Sequence, residues 1–460
     1  MSIKKKRKSP KKIKTRRIRK KKTMPRRKRK KKVQSRKRLL RKKRKPRLRP
    51  DNPAERRRLH ILFIVHSFYP ETYTGTEKFV FNMARSMLSR GHRVKVVTYS
   101  NAALESYPQV FGEVVYREYE YEGVPVLAYR HTFINVDQTF EIGNKDLTLF
   151  AEEVINKEKP DLLHIGHPMR GMEFIQTSLL LGIKYIITLT DFWFICPKST
   201  LLQTNQALCS GPAMGENCRI HCQLDHVHQR LHTYIPLLKS ASRILSPSLS
   251  LANLFRSSLP GLHVEVLNHG MNYDTIRINE KGYQPGDSLT LFYGGSLNSH
   301  KGVHLILEAM SMISTDRLQL KIYGSGPADY TDLLNQGALL DSRITLCGLY
   351  SEHDIPHIYQ NVDVAVVPSI WYENYPLTLH EALASQVPAL VSNIGGMAEK
   401  VIDGFNGFTF RVGDARHLAE RITQLLDNPS ILNGFKANLK QLHIPTTEQE
   451  ADAYENIYYQ

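Results

Sequence analysis

Short apolar strands alternate with amphipathic helices along most of this chain, and the alternation restricts the folds that it can adopt. The first unit predicts a strand over 61–65, a loop over 66–76, a helix over 77–90 that stops at Gly91, and a strand over 94–99. A β-α-β unit of this kind builds a parallel sheet with a right-handed crossover. Most of the chain is therefore expected to fold around parallel sheets.

The alternation runs in two series. The first continues with strands predicted over 161–166, 185–191 and 243–247. The second predicts strands over 289–295, 318–324, 344–348, 362–368 and 388–392. We therefore predict an α/β fold with two tandem Rossmann-like doubly wound domains that face a cleft. Ligands of such sheets bind at the carboxyl ends of the strands, so the cleft is the expected site.

These patterns predict four segments along the chain. They are a disordered basic tail over 1–58, an N-terminal Rossmann-like domain over 59–268 with a cysteine-containing insertion, a C-terminal Rossmann-like domain over 269–443, and a helical segment over 444–460. The last segment is too short to be a domain. We expect it to dock back on the N-terminal domain.

The basic tail dominates the net charge of the chain. Residues 1–50 hold 31 of the 64 Lys and Arg residues and no Asp or Glu, whereas residues 51–460 carry 33 basic and 43 acidic side chains. A segment with this composition is expected to be disordered. Its charge predicts contact with an anionic membrane surface or another polyanion, with nucleic acid as the less favoured partner. An extension without a function is the alternative.

The sequence predicts a cytoplasmic protein, peripheral at the inner face of the membrane. No apolar run reaches the roughly 18 to 20 residues that a membrane-spanning helix needs. The tail lacks the apolar core of a secretory signal. Five cysteines, an odd number, agree with a reducing compartment.

Glu373 and Glu381 stand eight residues apart, where a loop rich in aromatic residues opens into an apolar helix. If the helix begins near Leu377, Glu381 lies just over a turn inside it and Glu373 lies in the loop, so both face one cavity. Backbone N–H groups at the start of that helix have no intrahelical partner and suit a diphosphate. The carboxylates beside it would accept hydrogen bonds from sugar or ribose hydroxyls. Two solvated surface glutamates are the alternative.

Glycine-bearing turns follow several predicted strands, at 73–77, 294–296, 324–327 and 395–396. Glycine lets the backbone approach a ligand closely. Lys301 opens the helix that follows Gly295 and adds a cation that can reach a diphosphate. Ordinary turn geometry and a solvated lysine are the alternatives.

Together these motifs resemble the GT-B glycosyltransferases of family 4, the retaining enzymes that use a nucleotide sugar. The resemblance covers residues 59–460. It implies that the N-terminal domain lies on the acceptor side and that the C-terminal domain binds the nucleotide sugar. Its most specific element is the pair Glu373 and Glu381, preceded by the strand and turn at 363–369 and followed by the two glycines at 395–396.

The resemblance implies a role for each matching residue. Glu373 would contact the hydroxyls of the donor sugar and Glu381 those of the ribose. Lys301 would hold the diphosphate together with the backbone from Asn374 through Tyr375 and Pro376 to Leu377, while the loop at Gly75 closes on it. The other implied donor contacts are Gly295, Ser296, Gly324, Leu349 and Tyr350. This scheme requires no metal and no cofactor beyond the nucleotide sugar.

Two positions depart from the family pattern. Ser296 stands where the family commonly has an arginine, so one cation for the diphosphate is absent. Thr190 stands where many members have a histidine, which leaves Asp191 as the predicted catalytic partner of Glu373. The acceptor-side candidates follow strand ends nearby and are His164, His167, Arg170 and Trp193.

Four cysteines cluster in the inserted segment of the first domain, namely Cys196, Cys209, Cys218 and Cys222. Four thiolates can close a structural zinc site. Their spacing does not match a pair of C-x2-C knuckles, so packed free thiols are the alternative.

We therefore expect a retaining hexosyltransferase of the kind used in polysaccharide biosynthesis. It would act on a glycan, a lipid-linked glycan or another hydroxyl acceptor. Two alternatives remain open. One is a non-catalytic polyanion-binding protein with a transferase-like body, and the other is a sugar-phosphate synthase on the same scaffold, which predicts a small soluble acceptor.

Overall fold

Residues 56–133 and 142–460 are described by the computed structural model of the chain. Residues 1–55, which make up nearly all of the predicted tail, lie outside the described residues. Residues 58–460 form one unit that is built on two sheets.

The first sheet has nine strands. Their bounds are β1 His60–Val65, β2 Arg93–Tyr99, β3 Gln109–Phe111, β4 Val114–Tyr121, β5 Val124–His131, β6 Leu162–Ile165, β7 Lys184–Thr188, β8 Arg243–Ser246 and β9 Glu265–Val266. The strand order is β3-β4-β5-β2-β1-β6-β7-β8-β9. The pairs β3–β4 and β4–β5 are antiparallel and the other pairs are parallel.

Helices connect the parallel strands of this sheet. Their bounds are α1 Gly75–Ser89, α2 Lys145–Glu158, α3 Met172–Leu180, α4 Glu216–Cys222, α5 Val227–Ser240 and α6 Leu249–Ser258. Helix α1 begins two residues earlier than predicted, because Thr74 and Glu77 form a capping box at its start. The glutamate carboxylate accepts the backbone N–H of Thr74 at 2.7 Å. We call the part of the chain built on this sheet the N-terminal domain.

The second sheet has six strands. They are β10 Leu289–Gly294, β11 Leu318–Tyr323, β12 Ile344–Gly348, β13 Val364–Val367, β14 Ala389–Ser392 and β15 Gly407–Phe410. All pairs are parallel, in the order β12-β11-β10-β13-β14-β15. The helices of this part, which we call the C-terminal domain, are α7 Val303–Ser311, α8 Ala328–Leu340, α9 Ile355–Gln360, α10 Leu377–Ala384, α11 Gly395–Lys400, α12 Ala415–Asp427 and α13 Ile431–Leu439.

The last helix, α14 Thr447–Tyr458, packs on the N-terminal domain. The Tyr454 hydroxyl lies 2.8 Å from Thr188 Oγ1, at the end of β7. Glu450 holds the segment between the two sheets, since its carboxylate lies 2.7 Å from His269 Nδ1 and accepts the Gly270 N–H at 2.8 Å.

The central strands of both sheets are parallel and buried. Every residue of β1, β13 and β14 is buried, as expected when helices cover both faces of a sheet. The prediction of two tandem α/β domains is confirmed. The boundaries at 268/269 and 443/444 stay predictions. Across residues 56–133 and 142–460, no helix is both long and apolar enough to cross a bilayer.

Candidate functional site

Glu373 is a buried carboxylate in the loop between β13 and α10. Its Oε1 accepts hydrogen bonds from Lys301 Nζ at 2.7 Å, Ser369 Oγ at 2.7 Å and Trp371 Nε1 at 2.9 Å. Burial alone would raise the pKa of Glu373, but the Lys301 ammonium and these donors hold it below its ordinary value. The group is therefore a fixed anion whose second oxygen can accept a ligand hydroxyl.

Gly395 and Gly396 of α11 pack against the loop that carries Glu373. Gly396 donates its N–H to the Glu373 carbonyl at 2.7 Å. A Cβ atom at Gly395, which has a φ of +61°, would lie 2.7 Å from that carbonyl oxygen, and a Cβ at Gly396 would lie 1.9 Å from the Asn374 carbonyl oxygen. Larger residues at either position would displace the loop that carries Glu373.

Helix α10 begins at Leu377, and its start offers free N–H donors. The first N–H bonded within the helix is that of Leu379, to the Pro376 carbonyl at 3.1 Å. The N–H groups of Leu377 and Thr378 precede it, at the positive end of the helix dipole. This end of α10 is therefore suited to an anion.

Glu381, one turn inside α10, is buried and faces the N-terminal domain. Its Oε1 lies 3.2 Å from Lys78 Nζ, which also lies 2.9 Å from Glu352 Oε1. Burial alone would lower the pKa of Lys78, but the two carboxylates raise it above its ordinary value. The carboxylates of Glu373 and Glu381 thus each hold one lysine.

The start of α1 meets the start of α10. A Cβ atom at Gly75 would lie 3.8 Å from Leu377 Cδ1, so the loop predicted to close on a donor already lies beside the helix predicted to bind its diphosphate.

The side chain of Asn374 joins the two domains, and that of Tyr375 contacts the segment between their sheets. Asn374 accepts a hydrogen bond from Ser248 Oγ at 2.9 Å and donates one to the Leu189 carbonyl at 3.2 Å, while the Tyr375 hydroxyl donates to the His269 carbonyl at 3.0 Å. At these two predicted donor-binding positions, only the backbone is available for a ligand.

The glycine turns after β10 and β11 pack against each other. Gly295 and Gly324 have φ values of +151° and +143°, and a Cβ atom at Gly324 would lie 1.8 Å from the Gly295 carbonyl oxygen. Ser296 beside them is exposed. Leu349, after β12, is 60% exposed, whereas the ring of Tyr350 packs against Tyr323 with centroids 5.7 Å apart.

Asp191 and His167 form a second polar cluster, at the ends of β6 and β7. His167 Nδ1 accepts the Met169 N–H at 3.2 Å, so Nε2 carries the ring proton and donates to Asp191 Oδ2 at 2.8 Å. Asp191 Oδ1 accepts the Trp193 N–H at 2.8 Å. The carboxylate is therefore held in one orientation, although its side chain stays 21% exposed.

His66, which sequence analysis did not assign, joins this cluster from the end of β1. Its ring centroid lies 4.1 Å from that of His167, and its Nε2 lies 3.6 Å from Glu77 Oε1. Burial lowers the pKa of His66 well below its ordinary value, with His167 and Arg170 acting in the same direction. His66 is therefore a neutral imidazole.

His164 and Trp193 do not join the cleft. His164 is fully buried, its ring nitrogens lie 2.7 Å from the Tyr458 hydroxyl and 2.8 Å from Thr188 Oγ1, and burial lowers its pKa to about 3. Trp193 is 1% exposed, with the Arg230 guanidinium 4.0 Å from its ring centroid. Neither side chain presents a surface to an acceptor, which corrects both predictions.

Arg170 differs from His164 and Trp193, because it is not fully buried. It is partly exposed, and its guanidinium lies 5.0 Å from the ring centroid of Tyr99. Contact with an acceptor stays a prediction for this residue.

The four inserted cysteines line one small cavity, but they do not form the predicted zinc site. Within residues 56–133 and 142–460, no group of three or more His, Cys, Asp or Glu side chains is arranged to hold a metal ion. Burial raises the pKa of Cys218 to about 12 and also raises that of Cys196. The neutral thiol is thus favoured in this cavity. The alternative of packed free thiols fits these residues.

Sequence analysis missed several residues that complete the site. Ser369 and Trp371 stand close to Glu373 in sequence, so their proximity was a usable signal. Lys78 is one turn after Gly75, but its contact with Glu381 spans 303 residues. No local pattern could have indicated it.

Comparison with known proteins gives consistent matches over most of the chain. A family described as glycosyl transferases group 1 matches residues 274–442, and one described as glycosyltransferase family 4 matches residues 73–275. The O-antigen chain mannosyltransferase C of Escherichia coli is 22% identical over 408 residues, which cover 87% of this chain and 98% of that protein. The lipopolysaccharide 1,2-N-acetylglucosaminetransferase of Salmonella typhimurium is 25% identical over 46% of this chain and 57% of that protein.

Solved structures share the fold. Sucrose-phosphate synthase from Thermosynechococcus elongatus superposes with a TM-score of 0.66 at 18% identity, covering 87% of this chain and 98% of that chain. Anabaena HepE in complex with UDP and glucose superposes with a TM-score of 0.62 at 16% identity, covering 87% and 99%.

Proposed function

Because this chain belongs to the GT-B glycosyltransferases of family 4, we propose that it moves a hexosyl group from a nucleoside diphosphate sugar to a hydroxyl acceptor with retention of anomeric configuration. The observation that carries the proposal is Glu373, a buried anion fixed by three donors beside the free N–H groups of α10. Such a group can bind a sugar hydroxyl while the helix start binds the diphosphate.

Each part of the donor has a matching group in the cleft. Glu373 Oε2 would accept a hydroxyl of the sugar, and Glu381 those of the ribose. The N–H groups of Leu377 and Thr378, together with Lys301, would bind the diphosphate. Leu349 and Tyr350 would border the base.

The transfer exchanges one bond at the anomeric carbon for another. The acceptor oxygen bonds to that carbon while the bond to the diphosphate breaks on the same face, and the diphosphate leaves with the electron pair. The acceptor proton passes to the departing phosphate oxygen. Asp191, held by His167, would orient the acceptor hydroxyl, and closure of the cleft would exclude water. Charge on the leaving group would be stabilised by the N–H groups of α10 and by Lys301.

The relatives support a class of acceptor. The matched proteins named above act on O-antigen chains and lipopolysaccharide, which supports a glycan or lipid-linked glycan as acceptor here. The charge of residues 1–50 supports attachment to the anionic inner face of the membrane, in the cytoplasm. Cosedimentation with phosphatidylglycerol vesicles but not with phosphatidylcholine vesicles tests this, and equal binding to duplex DNA would favour a general polyanion contact instead.

The test of the transferase is nucleoside diphosphate release from a panel of UDP-, GDP- and ADP-sugars, with membrane extract as acceptor. We expect nucleoside diphosphate release from one donor, and we expect Glu373→Gln to abolish that release. The anomeric NMR coupling of the product checks retention. Release at the same rate from Glu373→Gln would overturn the proposed site. Faster release with small sugar phosphates than with membrane extract would favour a sugar-phosphate synthase.

A further inference from the structure

Lys78 of the N-terminal domain reaches across the cleft to the C-terminal domain. Its Nζ lies 3.2 Å from Glu381 Oε1 and 2.9 Å from Glu352 Oε1. Its side chain is 23% exposed and that of Glu381 is 8% exposed, so this contact is more enclosed than an ordinary surface ion pair.

The start of α1 directs Lys78 towards this place. The capping box of Thr74 and Glu77 fixes the first turn of the helix, and Gly75 brings that turn to within contact of Leu377. Lys78 is the residue that follows Glu77. Its side chain lines one small cavity together with Leu377 and Glu381. The Lys78 ammonium therefore lies in the region where the proposed diphosphate site begins.

The charges of the cleft leave a diphosphate short of cations. Lys301 is already paired with Glu373 at 2.7 Å, and Ser296 supplies no charge. The nearby walls carry the carboxylates of Glu352, Glu373 and Glu381 against the ammonium groups of Lys78 and Lys301. An anion at the start of α10 would face a surplus of negative charge unless a cation turned towards it.

Ribose binding would free such a cation. Ribose hydroxyls and the Lys78 ammonium both donate hydrogen bonds, so they compete for Glu381 Oε1. Once the hydroxyls occupy that oxygen, the ammonium loses a partner at the mouth of α10. A flexible lysine side chain can then turn to a phosphate oxygen as a point charge.

We propose that Lys78 is a donor-binding residue contributed by the N-terminal domain, which leaves Glu381 when ribose binds there and pairs with the diphosphate. This inference rests on the proposed function, since it takes the start of α10 as the diphosphate site. Lys78 would thus supply the positive charge that is absent at Ser296, where the family commonly has an arginine.

The test compares nucleotide binding to the full chain and to Lys78→Met. Calorimetry measures Kd for UDP, GDP and ADP, for the matching nucleosides, and for displacement of the bound nucleotide by pyrophosphate. Displacement reports the shared site only, and not anion binding by the basic tail. We expect Kd for the bound nucleoside diphosphate to rise about tenfold, because a charge-assisted hydrogen bond is lost. Kd for pyrophosphate should change less, because pyrophosphate brings no ribose to displace Lys78 from Glu381. The nucleoside should bind at least as tightly as before, because Lys78 no longer competes with its ribose for Glu381.

Lys95→Met is the matched control. Lys95 also bridges two glutamates, with Nζ 3.1 Å from Glu118 and 2.5 Å from Glu158, but it lies near the amino end of β2. This variant should leave every Kd unchanged. Equal nucleoside diphosphate affinity in wild type and Lys78→Met would overturn the role of Lys78 but not the donor site. Tighter binding of the nucleoside diphosphate to Lys78→Met would overturn that role too, because it would show that the ion pair of Lys78 with Glu381 only obstructs the site. A wild-type chain that binds none of the nucleotides would overturn the donor site as well.

Discussion

His167 donates its Nε2 proton to Asp191 Oδ2 at 2.8 Å. The Met169 N–H fixes this tautomer from the other side of the ring. The imidazole thus serves as a donor that orients a carboxylate, with both of its nitrogens in use. This pair comes from the ends of neighbouring strands, and it stands next to Thr190, where an imidazole is common in the family.

Variants of Asp191 and of His167 should separate the loss of the carboxylate from the loss of its fixed orientation. Asp191→Asn is expected to lower kcat by about 100-fold, because the carboxylate that would hold the acceptor hydroxyl is lost. His167→Ala should lower kcat by about tenfold, because Asp191 can then rotate. His167→Gln restores a donor and should recover part of that loss. Steady-state kinetics measures all three, and equal rates for the alanine and glutamine variants would contradict a positioning role.

The charge of Glu373 should appear in the pH dependence of stability. Its pKa lies below the ordinary value of 4.5, so its ionisation stabilises the fold above that pH, and the contribution is lost as the pH falls through the lower, folded-state pKa. Glu373→Gln should therefore lower the urea midpoint at pH 7. The difference from wild type should shrink as the pH falls below 4.5. A difference that stays constant down to pH 3.5 would contradict the assigned pKa shift.

The close approach of Gly396 to the loop predicts a sharp contrast between two glycine substitutions. Gly396→Ala places a Cβ 1.9 Å from the Asn374 carbonyl oxygen, so it should cost about 3 kcal/mol and reduce donor binding. Gly434→Ala, in helix α13, meets nothing within 4 Å and should be neutral or stabilising by up to about 1 kcal/mol. Thermal unfolding measures both, and similar losses would contradict the packing argument.

Local patterns predicted most of the parallel strands, although not β9 and β15, and they predicted the start of α10 closely. The helix begins at Leu377, because the break at Pro376 and the apolar run after it are adjacent in sequence. The antiparallel strands β3 to β5 were not predicted. The turn at Glu122 and Gly123, which have φ values of +44° and +81°, was a usable hairpin signal that the sequence predictions did not use.

The side chains that close the cleft depend on contacts between distant parts of the chain. Lys78 meets Glu381 only because α1 and α10 belong to facing domains. Trp193 was predicted to be an acceptor-side residue, but Arg230 of α5 covers its ring, and nothing near Trp193 in sequence indicates that arginine. Sequence patterns therefore identified the ends of strands where the site lies better than the side chains that face it.

The interior position of His164 leads to a prediction about acid stability. Its pKa is lowered to about 3 by burial, whereas an unfolded histidine titrates near 6.5. Between these values the unfolded chain binds a proton that the folded chain does not, so stability falls as the pH drops below 6.5. This one group should account for about 2 kcal/mol of lost stability at pH 5.

His164→Gln removes that titration while keeping a polar side chain between Thr188 and Tyr458. Its urea-derived free energy of unfolding should fall less than that of wild type between pH 8 and pH 5, and kcat at pH 8 should be nearly unchanged because the ring has no contact with the cleft. Parallel pH profiles for the two proteins would show that His164 is protonated in the fold. A large loss of kcat at pH 8 with unchanged stability would instead restore it as an acceptor-side residue.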